Sequence, residues 1–211
     1  MKNIYELKHP LITHKLAILR DKQTGTKEFR ELIEEISMFL CFEAMSDAKL
    51  DDVVIETPIE RFETSILNED KYAFVPILRA GMGMLDGVIK VVPNAKIGHV
   101  GMYRDEKTFK PINYFFKVPK DIDKREVIIL DPMLATGNSS LEAIKLFANK
   151  KVPPENITLI TLLCAPEGIK KVHHAFSDVR IFTACIDEKL NEKGYILPGL
   201  GDAGDRIFNT L

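Results

Sequence analysis

The stretch Val127-Ile-Ile-Leu-Asp-Pro-Met-Leu-Ala-Thr-Gly-Asn-Ser-Ser140 decides the fold of this chain. It begins with four apolar residues, three of them β-branched, which is typical of a buried strand. A turn-forming loop follows from Asp131 to Asn138, and the apolar spacing of residues 141–147 predicts a helix. The stretch therefore predicts a strand, a loop and a helix, which is the unit that α/β folds repeat.

The chemistry of this loop favours an anion. Where a strand passes through a Thr-Gly loop into a helix, backbone N–H groups and the positive end of the helix dipole face the loop. Gly137 permits a positive φ and a close approach of the backbone, and Thr136, Ser139 and Ser140 add hydroxyl donors. Asp131, directly after the strand, suits a sugar diol, whose hydroxyls donate to a carboxylate. No lysine follows Gly137, so this is not a Walker A loop. From the pattern alone, an ordinary strand-to-helix turn remains an open alternative.

The segment Asp131-Pro-Met-Leu-Ala-Thr-Gly-Asn-Ser139 resembles the phosphoribosyl-diphosphate (PRPP) loop of type I phosphoribosyltransferases. The family usually has a second glycine where this chain has Asn138. Asparagine tolerates a left-handed backbone better than other non-glycine residues, so we expect that the loop can still close with Asn138. The resemblance implies PRPP contacts from Asp131, Pro132, Met133, Leu134, Ala135, Thr136, Gly137, Asn138 and Ser139.

Two earlier segments extend the resemblance. Residues 76–81, Pro-Ile-Leu-Arg-Ala-Gly, resemble the family's diphosphate loop, which implies that Arg79 binds the diphosphate of PRPP. Its guanidinium fork suits phosphate oxygens, although for this segment alone an arginine capping a strand end is the alternative. Met-Tyr-Arg at 102–104 matches the family's flexible loop, which implies a PRPP contact and a catalytic role for Arg104. Lys107, in the same charged stretch, is a second cation that could meet the diphosphate. The alternative for this stretch is a solvated hairpin tip.

The C-terminal segment holds four glycines between residues 194 and 204, yet it is too apolar for a disordered tail. An ordered loop of this kind lets bare backbone reach a small flat ligand. Residues 194–205, Gly-Tyr-Ile-Leu-Pro-Gly-Leu-Gly-Asp-Ala-Gly-Asp, closely resemble the uracil-binding hood of the uracil-specific members of the family. The resemblance implies uracil contacts from Ile196, Gly201, Asp202 and Ala203. It also places Asp202 between the base and PRPP. Asp202 is the one candidate for a catalytic base, and the open alternative is that it only orients a water or a metal.

The activity that the resemblance implies joins uracil to PRPP and gives UMP and diphosphate, a step of pyrimidine salvage. Mg²⁺ is the implied cofactor. Because Mg²⁺ keeps several waters and binds substrate oxygens, we expect it to be held mainly through PRPP and water, with no direct protein ligand. The family also implies a homo-oligomer, a dimer or larger, and raises GTP as an activator, for which no site can be assigned.

The order of elements predicts the architecture. Strands alternate with helices, which indicates an α/β fold with a mainly parallel twisted sheet flanked by helices. We expect a single domain over residues 1–211, with an N-terminal arm and helix at 1–49, a core at about 50–186 and a small hood at 187–211. We expect short apolar stretches in the first 25 residues, and a polar connection at 60–70. Since ligands bind at the carboxyl ends of such strands, the predicted loops should meet there.

Composition excludes several classes of protein. The 211 residues are 45% apolar and 28% charged, as in an ordinary globular domain. A net charge of -2 argues against bulk attraction to nucleic acid or to a membrane. Cys41, Cys164 and Cys185 are widely spaced in apolar runs and indicate reduced thiols in a cytoplasmic protein. No apolar run has transmembrane length, and the first residues are no signal peptide.

Two rival functions stay open on sequence grounds. One is an RNA-binding regulator that keeps the phosphoribosyltransferase fold, which would need a basic face that the mixed charge does not suggest. The other is a nucleotide kinase or another NTP-binding enzyme, against which the missing loop lysine argues.

Overall fold

The computed structural model describes residues 1–104 and 111–210, with the backbone alone at Arg104 and Pro111. The strands are β1 (Ile4–Glu6), β2 (Leu50–Glu56), β3 (Arg61–Leu67), β4 (Tyr72–Leu78), β5 (Lys96–Ile97), β6 (His99–Arg104), β7 (Pro111–Lys117), β8 (Glu126–Leu130), β9 (Met133–Leu134), β10 (Ile157–Cys164), β11 (Arg180–Ile186), β12 (Lys189–Leu190) and β13 (Ile196–Leu197). The α-helices are α1 (Pro10–Arg20), α2 (Thr26–Ala44), α3 (Met82–Val91), α4 (Asn138–Asn149), α5 (Pro166–Ala175) and α6 (Ala203–Phe208).

The main sheet runs in the order β1-β11-β10-β8-β4-β6-β7, with β5 beside β4 and β9 beside β10. Its strands pair in parallel except for β6 and β7, which form an antiparallel hairpin. The predicted mainly parallel α/β sheet is confirmed. Since β4, β8 and β10 are parallel neighbours, their carboxyl ends reach the same edge of the sheet.

Alternation along the central strands divides the core between the two faces of the sheet. In β8, Ile128 and Leu130 pack into one cluster, with buried residues of α1, α2 and α3. Val127 and Ile129 pack into the other, with buried residues of α4 and α5. Successive side chains of a strand point to opposite faces, so a strand buried on both sides reads as a continuous apolar run.

The N-terminal arm is more regular than the sequence indicated. Its first strand, β1, joins the edge of the main sheet beside β11, and residues 10–20 form α1. His9 is extended, as expected before a proline, and its Nδ1 accepts a hydrogen bond from the Leu11 N–H. Pro10 is the first helical residue, a position whose N–H has no helical partner in any case.

The expected polar connection at 60–70 is wrong, because residues 61–67 form β3. This strand pairs with β2 in an antiparallel hairpin, in which Val54 lies opposite Glu63. Most side chains of both strands are exposed, so the sequence of β3 contains no buried apolar run of the kind that indicates a strand. Among the described residues, the helices are all too short or too polar to cross a bilayer.

Candidate active site

A cavity of about 420 Å³ opens at the carboxyl ends of β4 and β8. Its walls come from the loop after β4, the loop between β8 and α4, and the segment from β12 to α6. Lining residues that carry a charge are Arg79, Asp131, Lys193 and Asp202. The cavity therefore brings together three segments that are far apart in the sequence.

The loop between β8 and α4 presents main-chain donors to this cavity. Gly137 has a φ of 75° and is the N-cap of α4, with no side-chain capping bond. The first intrahelical bond runs from the Leu141 N–H to the Gly137 C=O, at 2.9 Å. The N–H groups of the three preceding helical residues, Asn138 to Ser140, therefore have no intrahelical acceptor. Such donors, together with the helix dipole, form a phosphate site.

Asp131 lies beside these donors. The Ser140 hydroxyl donates to its Oδ2 at 3.0 Å, and the Met133 N–H approaches its Oδ1 at 3.5 Å. Burial raises the pKa of this carboxyl to about 6, against the opposing effect of the two hydrogen bonds. The group is thus ionised at neutral pH and protonated in mild acid. Its ionised form can accept hydrogen bonds from a sugar diol.

Arg79 follows β4 at the neighbouring strand end. A Cβ on Gly81 would lie 2.4 Å from the Leu130 C=O, so only glycine lets the turn after β4 pass this close to β8. The guanidinium of Arg79 stands 3.5 Å from Asp205 and 5.5 Å from the ring centroid of Phe208. Its side chain is 60% exposed, so it has room to turn toward an anion in the cavity.

The C-terminal segment closes the third side. Ile196, in β13, and Ala203 are buried against the core, while Gly201 has a φ of 82° and open space where a Cβ would stand. Asp202 is the N-cap of α6, because its Oδ1 accepts a hydrogen bond from the Asp205 N–H at 2.9 Å. This bond fixes the carboxylate at the cavity wall.

Comparison with known proteins shows the family of this chain. The family model for uracil phosphoribosyltransferase matches residues 6–210. The chain belongs to the uracil phosphoribosyltransferase family. It is 55% identical to the uracil phosphoribosyltransferases of Clostridium novyi (strain NT) and Clostridium tetani, over 210 residues and all of each chain. The uracil phosphoribosyltransferase of Lysinibacillus sphaericus is 52% identical, again over both full chains.

Solved structures agree with this family. The AQ2163 protein from Aquifex aeolicus superposes with a TM-score of 0.91 at 40% identity, covering 97% of each chain. The adenine phosphoribosyl transferase from Trypanosoma brucei, solved with AMP, pyrophosphate and ribose-5-phosphate, has a TM-score of 0.59 at 12% identity. That superposition covers 96% of this chain and 89% of the other, and it shows a shared phosphoribosyltransferase fold.

Within the uracil phosphoribosyltransferase fold, most of the predicted site residues meet in the one cavity. Those that line it are Arg79, Asp131, Pro132, Met133, Ala135, Thr136, Gly137, Asn138, Ser139, Ile196, Gly201, Asp202 and Ala203. Leu134 does not line it: its side chain is fully buried, and its C=O accepts from the Ala165 N–H at 2.9 Å. The side chain of Arg104 and all of Lys107 lie outside the described residues. The roles of all these residues stay predictions.

The tolerance of Asn138 for a left-handed backbone is not used. In the loop segment 131–139 only Gly137 has a positive φ, and Asn138 is already the first residue of α4. The left-handed position that the loop needs is therefore filled by glycine, and Asn138 needs no special tolerance. Its side-chain oxygen instead accepts a hydrogen bond from the Lys171 ammonium of α5.

Sequence reasoning missed several residues of the wall. Lys193 and Tyr195 line the cavity from the turn between β12 and β13, and Met102 lines it from β6. The available signal was position: Lys193 and Tyr195 flank Gly194, whose φ is 80°, directly before the predicted uracil contact Ile196. Met102 belongs to the Met-Tyr-Arg match at 102–104, but that match implied a role for Arg104 alone.

Proposed function

We propose that this chain transfers the 5-phosphoribosyl group of PRPP to N1 of uracil, which releases diphosphate and gives UMP. The observation that carries the proposal is the meeting of three different binding chemistries in one cavity. They are the helix N-terminus behind residues 136–139, the carboxylate of Asp131 and the glycine-rich backbone of residues 196–203. These match a phosphate, a ribose diol and a small flat base, and the family relationship supports the same substrates.

PRPP would be held through its two anionic ends and its sugar. The 5′-phosphate lies at the N-terminus of α4, where N–H groups and the Thr136 hydroxyl donate to it. The ribose hydroxyls donate to Asp131, whose carboxylate is already oriented by Ser140. The diphosphate lies toward Arg79, which exchanges its contact with Asp205 for phosphate oxygens.

The reaction breaks the bond between ribose C1′ and the diphosphate oxygen, and positive charge develops on the sugar as diphosphate leaves. Uracil N1 supplies the electron pair for the new bond, and its proton passes to a base or to water. Asp202 is the proposed acceptor of that proton, since its carboxylate is fixed at the wall of the cavity. Much of the rate would come from holding base and sugar in line and from donors aimed at the leaving group.

Mg²⁺ is the proposed cofactor. Asp131 and Asp202 face the cavity from separate elements, and the described residues contain no cluster of three or more acidic, histidine or cysteine side chains. This sparse set of carboxylates fits Mg²⁺, which keeps several waters and takes further oxygens from phosphates. When bound, Mg²⁺ neutralises charge on the diphosphate. Asp131 and Asp202 would hold it through water.

Three further proposals concern the setting of the enzyme. A homo-oligomer is supported by apolar residues that stand exposed on the β2–β3 hairpin, such as Val54, Phe62 and Ile66. A cytoplasmic location is supported by three free cysteines, of which Cys41 and Cys164 are buried. GTP as an activator rests on the family resemblance alone.

The test is PRPP-dependent nucleotide synthesis by the purified full chain with Mg²⁺. Uracil should give UMP and an equal amount of diphosphate, whereas orotate and hypoxanthine should give little nucleotide. A chain that forms more product from orotate or hypoxanthine than from uracil would refute the assignment. ATP turnover without PRPP would point instead to an NTP-binding enzyme, and salt-sensitive RNA retention on filters would point to a regulator.

A further inference from the structure

The carboxyl-terminal segment is tied to the N-terminal arm by a closed ring of hydrogen bonds. Arg20, the last residue of α1, donates to Asp187 Oδ2 from Nη1 at 2.8 Å and to Oδ1 from Nη2 at 2.5 Å. The same Nη1 donates to the Gly199 C=O at 2.8 Å, and the Gly199 N–H donates to Asp187 Oδ2 at 2.9 Å. Both polar groups of one peptide residue are therefore held by two side chains that also hold each other.

The Arg20–Asp187 pair is held by a hydrogen bond to the sheet and by burial. Asp187 directly follows β11, and its N–H donates to the C=O of Cys164, the last residue of β10, at 2.8 Å. Its side chain is only 3% exposed and that of Arg20 is 22% exposed. Burial by itself would raise the pKa of Asp187, but the bonds from Arg20 and Gly199 hold it below its ordinary value. The carboxylate of Asp187 is therefore ionised at neutral pH and pairs with the guanidinium of Arg20.

Gly199 connects the ring of hydrogen bonds to the residues that line the cavity. It has a φ of 63°, and a Cβ there would lie 2.1 Å from the Ile196 C=O, so the turn folds tightly back on Ile196. Ile196 lies three residues before Gly199 and Gly201 lies two residues after it, and both line the cavity. Arg20, Asp187 and Gly199 do not line it. Any influence of the pair on the base must therefore pass through the backbone of this turn.

We propose that Arg20 and Asp187 are positioning residues for the base: by clamping both polar groups of Gly199, they set the backbone that reads uracil. This inference rests on the proposed function. It assigns a part of substrate selection to α1, an element that contributes no residue to the cavity wall. A purely structural staple between arm and sheet would stabilise the whole fold and would not distinguish one substrate from the other.

Two variants test the clamp. Arg20→Lys keeps the charge but cannot reach both Asp187 oxygens and the Gly199 C=O with one ammonium. The double variant R20M/D187L removes both buried charges together, which avoids an unpaired ion and preserves the fold better than either single change. We expect the KM for uracil to rise about tenfold in each, while the KM for PRPP stays at the wild-type value. The reason is that R20K loosens the hold on the Gly199 C=O, and the double variant removes the partners of both Gly199 groups.

Lys15→Met is the matched control. Lys15 is also on α1 and pairs with Glu35 of α2 at 2.6 Å, so its loss weakens the packing of the same helix without touching Gly199. We expect K15M to leave both KM values unchanged. A smaller ratio of kcat/KM for uracil to kcat/KM for cytosine in R20K, with an unchanged ratio in K15M, would also support the clamp.

The inference is overturned if R20K or a folded R20M/D187L keeps the wild-type KM for uracil, or if the KM values for uracil and PRPP rise together. An equal response of R20K and K15M overturns it too. Wild-type protein that forms no UMP would overturn the proposed function, and this inference with it. Wild-type protein that forms UMP beside variants without the split would overturn the inference alone.

Discussion

The predicted PRPP loop, residues 131–139, and the described part of the C-terminal hood, residues 187–210, both line one cavity but are held in different ways. The loop is fixed by main-chain bonds to the sheet: Leu162 and Leu163 N–H groups both donate to the Pro132 C=O, at 3.0 and 3.1 Å. The hood is fixed by arginine side chains. Arg30 donates to the Ile207 C=O at 2.6 Å, and Arg206 donates to the Leu200 C=O at 2.9 Å.

This difference should make the kinetics of the two proposed substrates respond to different variants. A site made of main chain and helix dipole depends little on distant side chains, so the phosphate site should respond to local changes in the loop. A site whose backbone is held by long side chains should respond to changes far from the base. Variants of one wall should therefore change the kinetics of one substrate and leave the other unaffected, and the following predictions test that separation.

The largest expected effect is base selection by the hood. Uracil offers N3–H as a donor and O4 as an acceptor, and cytosine reverses both. Each reversed contact leaves a buried polar group facing its like, at about 1–3 kcal/mol. Two such conflicts should reduce kcat/KM for cytosine by about a thousandfold or more relative to uracil. 5-Fluorouracil is the control, since it keeps the same edge and should be accepted. Cytosine within about tenfold of uracil would show that the hood does not read this edge.

The next effect concerns the loop hydroxyl. Thr136→Ala removes a donor to the ribose phosphate, and losing a hydrogen bond to a charged group costs about 1.5–3 kcal/mol. The apparent affinity for PRPP should fall by about 10- to 150-fold while that for uracil holds. Steady-state kinetics with each substrate varied in turn measures both. Normal saturation by PRPP in this variant would place the phosphate elsewhere.

A smaller effect should come from behind the loop. A Cβ on Gly168, in α5, would lie 2.5 Å from the Ala135 C=O and 2.8 Å from the Leu134 C=O. Gly168→Ala should push the loop toward the cavity, and overpacking of about 1–3 kcal/mol corresponds to about a 5- to 150-fold weaker PRPP interaction. Gly25→Ala is the control, because a Cβ at Gly25 meets nothing within 4 Å. A wild-type KM for PRPP in G168A would mean that the loop moves to make room for the new methyl group without weakening the PRPP interaction.

The smallest effect is a pH dependence of the loop. With a pKa of about 6, Asp131 gains a proton as the pH falls through 6 and then no longer accepts both ribose hydroxyls. The kcat/KM for PRPP should drop about tenfold per unit below this pH, while the KM for uracil changes little. A raised pKa means that the folded state holds this proton more tightly than the unfolded chain. Stability from this group is therefore present at low pH and lost as the pH rises through 6, so protonation of Asp131 does not by itself unfold the protein in acid.

Asp131→Asn separates this titration from that of the substrate. The phosphate of PRPP has its own second pKa near 6 and could produce a similar fall. Asp131→Asn should be weak at every pH and should show only the step that belongs to the substrate. An identical pH profile in wild type and in this variant would remove Asp131 from the pH dependence.

Of the two cavity walls, the loop was the easier to predict, because its strand, turn and helix are consecutive in the sequence. Residues 127–140 contain the strand, the positive-φ glycine, the carboxylate and the helix start in one stretch. Local rules therefore predicted the strand, the turn and the helix, and the family resemblance favoured a PRPP site over an ordinary turn. The same rules failed where a residue's conformation depends on its neighbours in space. The effect of Asn138 in place of the usual glycine could not be predicted, and in the structure this residue begins a helix that packs against α5. Strand β3 was missed because exposed strands carry no buried run.

The sequence by itself determined the parallel α/β core, the order of its central strands and helices, and the motifs that meet at one edge of the sheet. These follow from periodicity and turn chemistry, which act between near neighbours in the chain. Tertiary structure alone decided that Lys193 and Met102 face the cavity, that Leu134 does not, and that Arg20 clamps Gly199. Those outcomes depend on pairs separated by up to 179 residues, and no local pattern records which distant side chain completes a hydrogen bond.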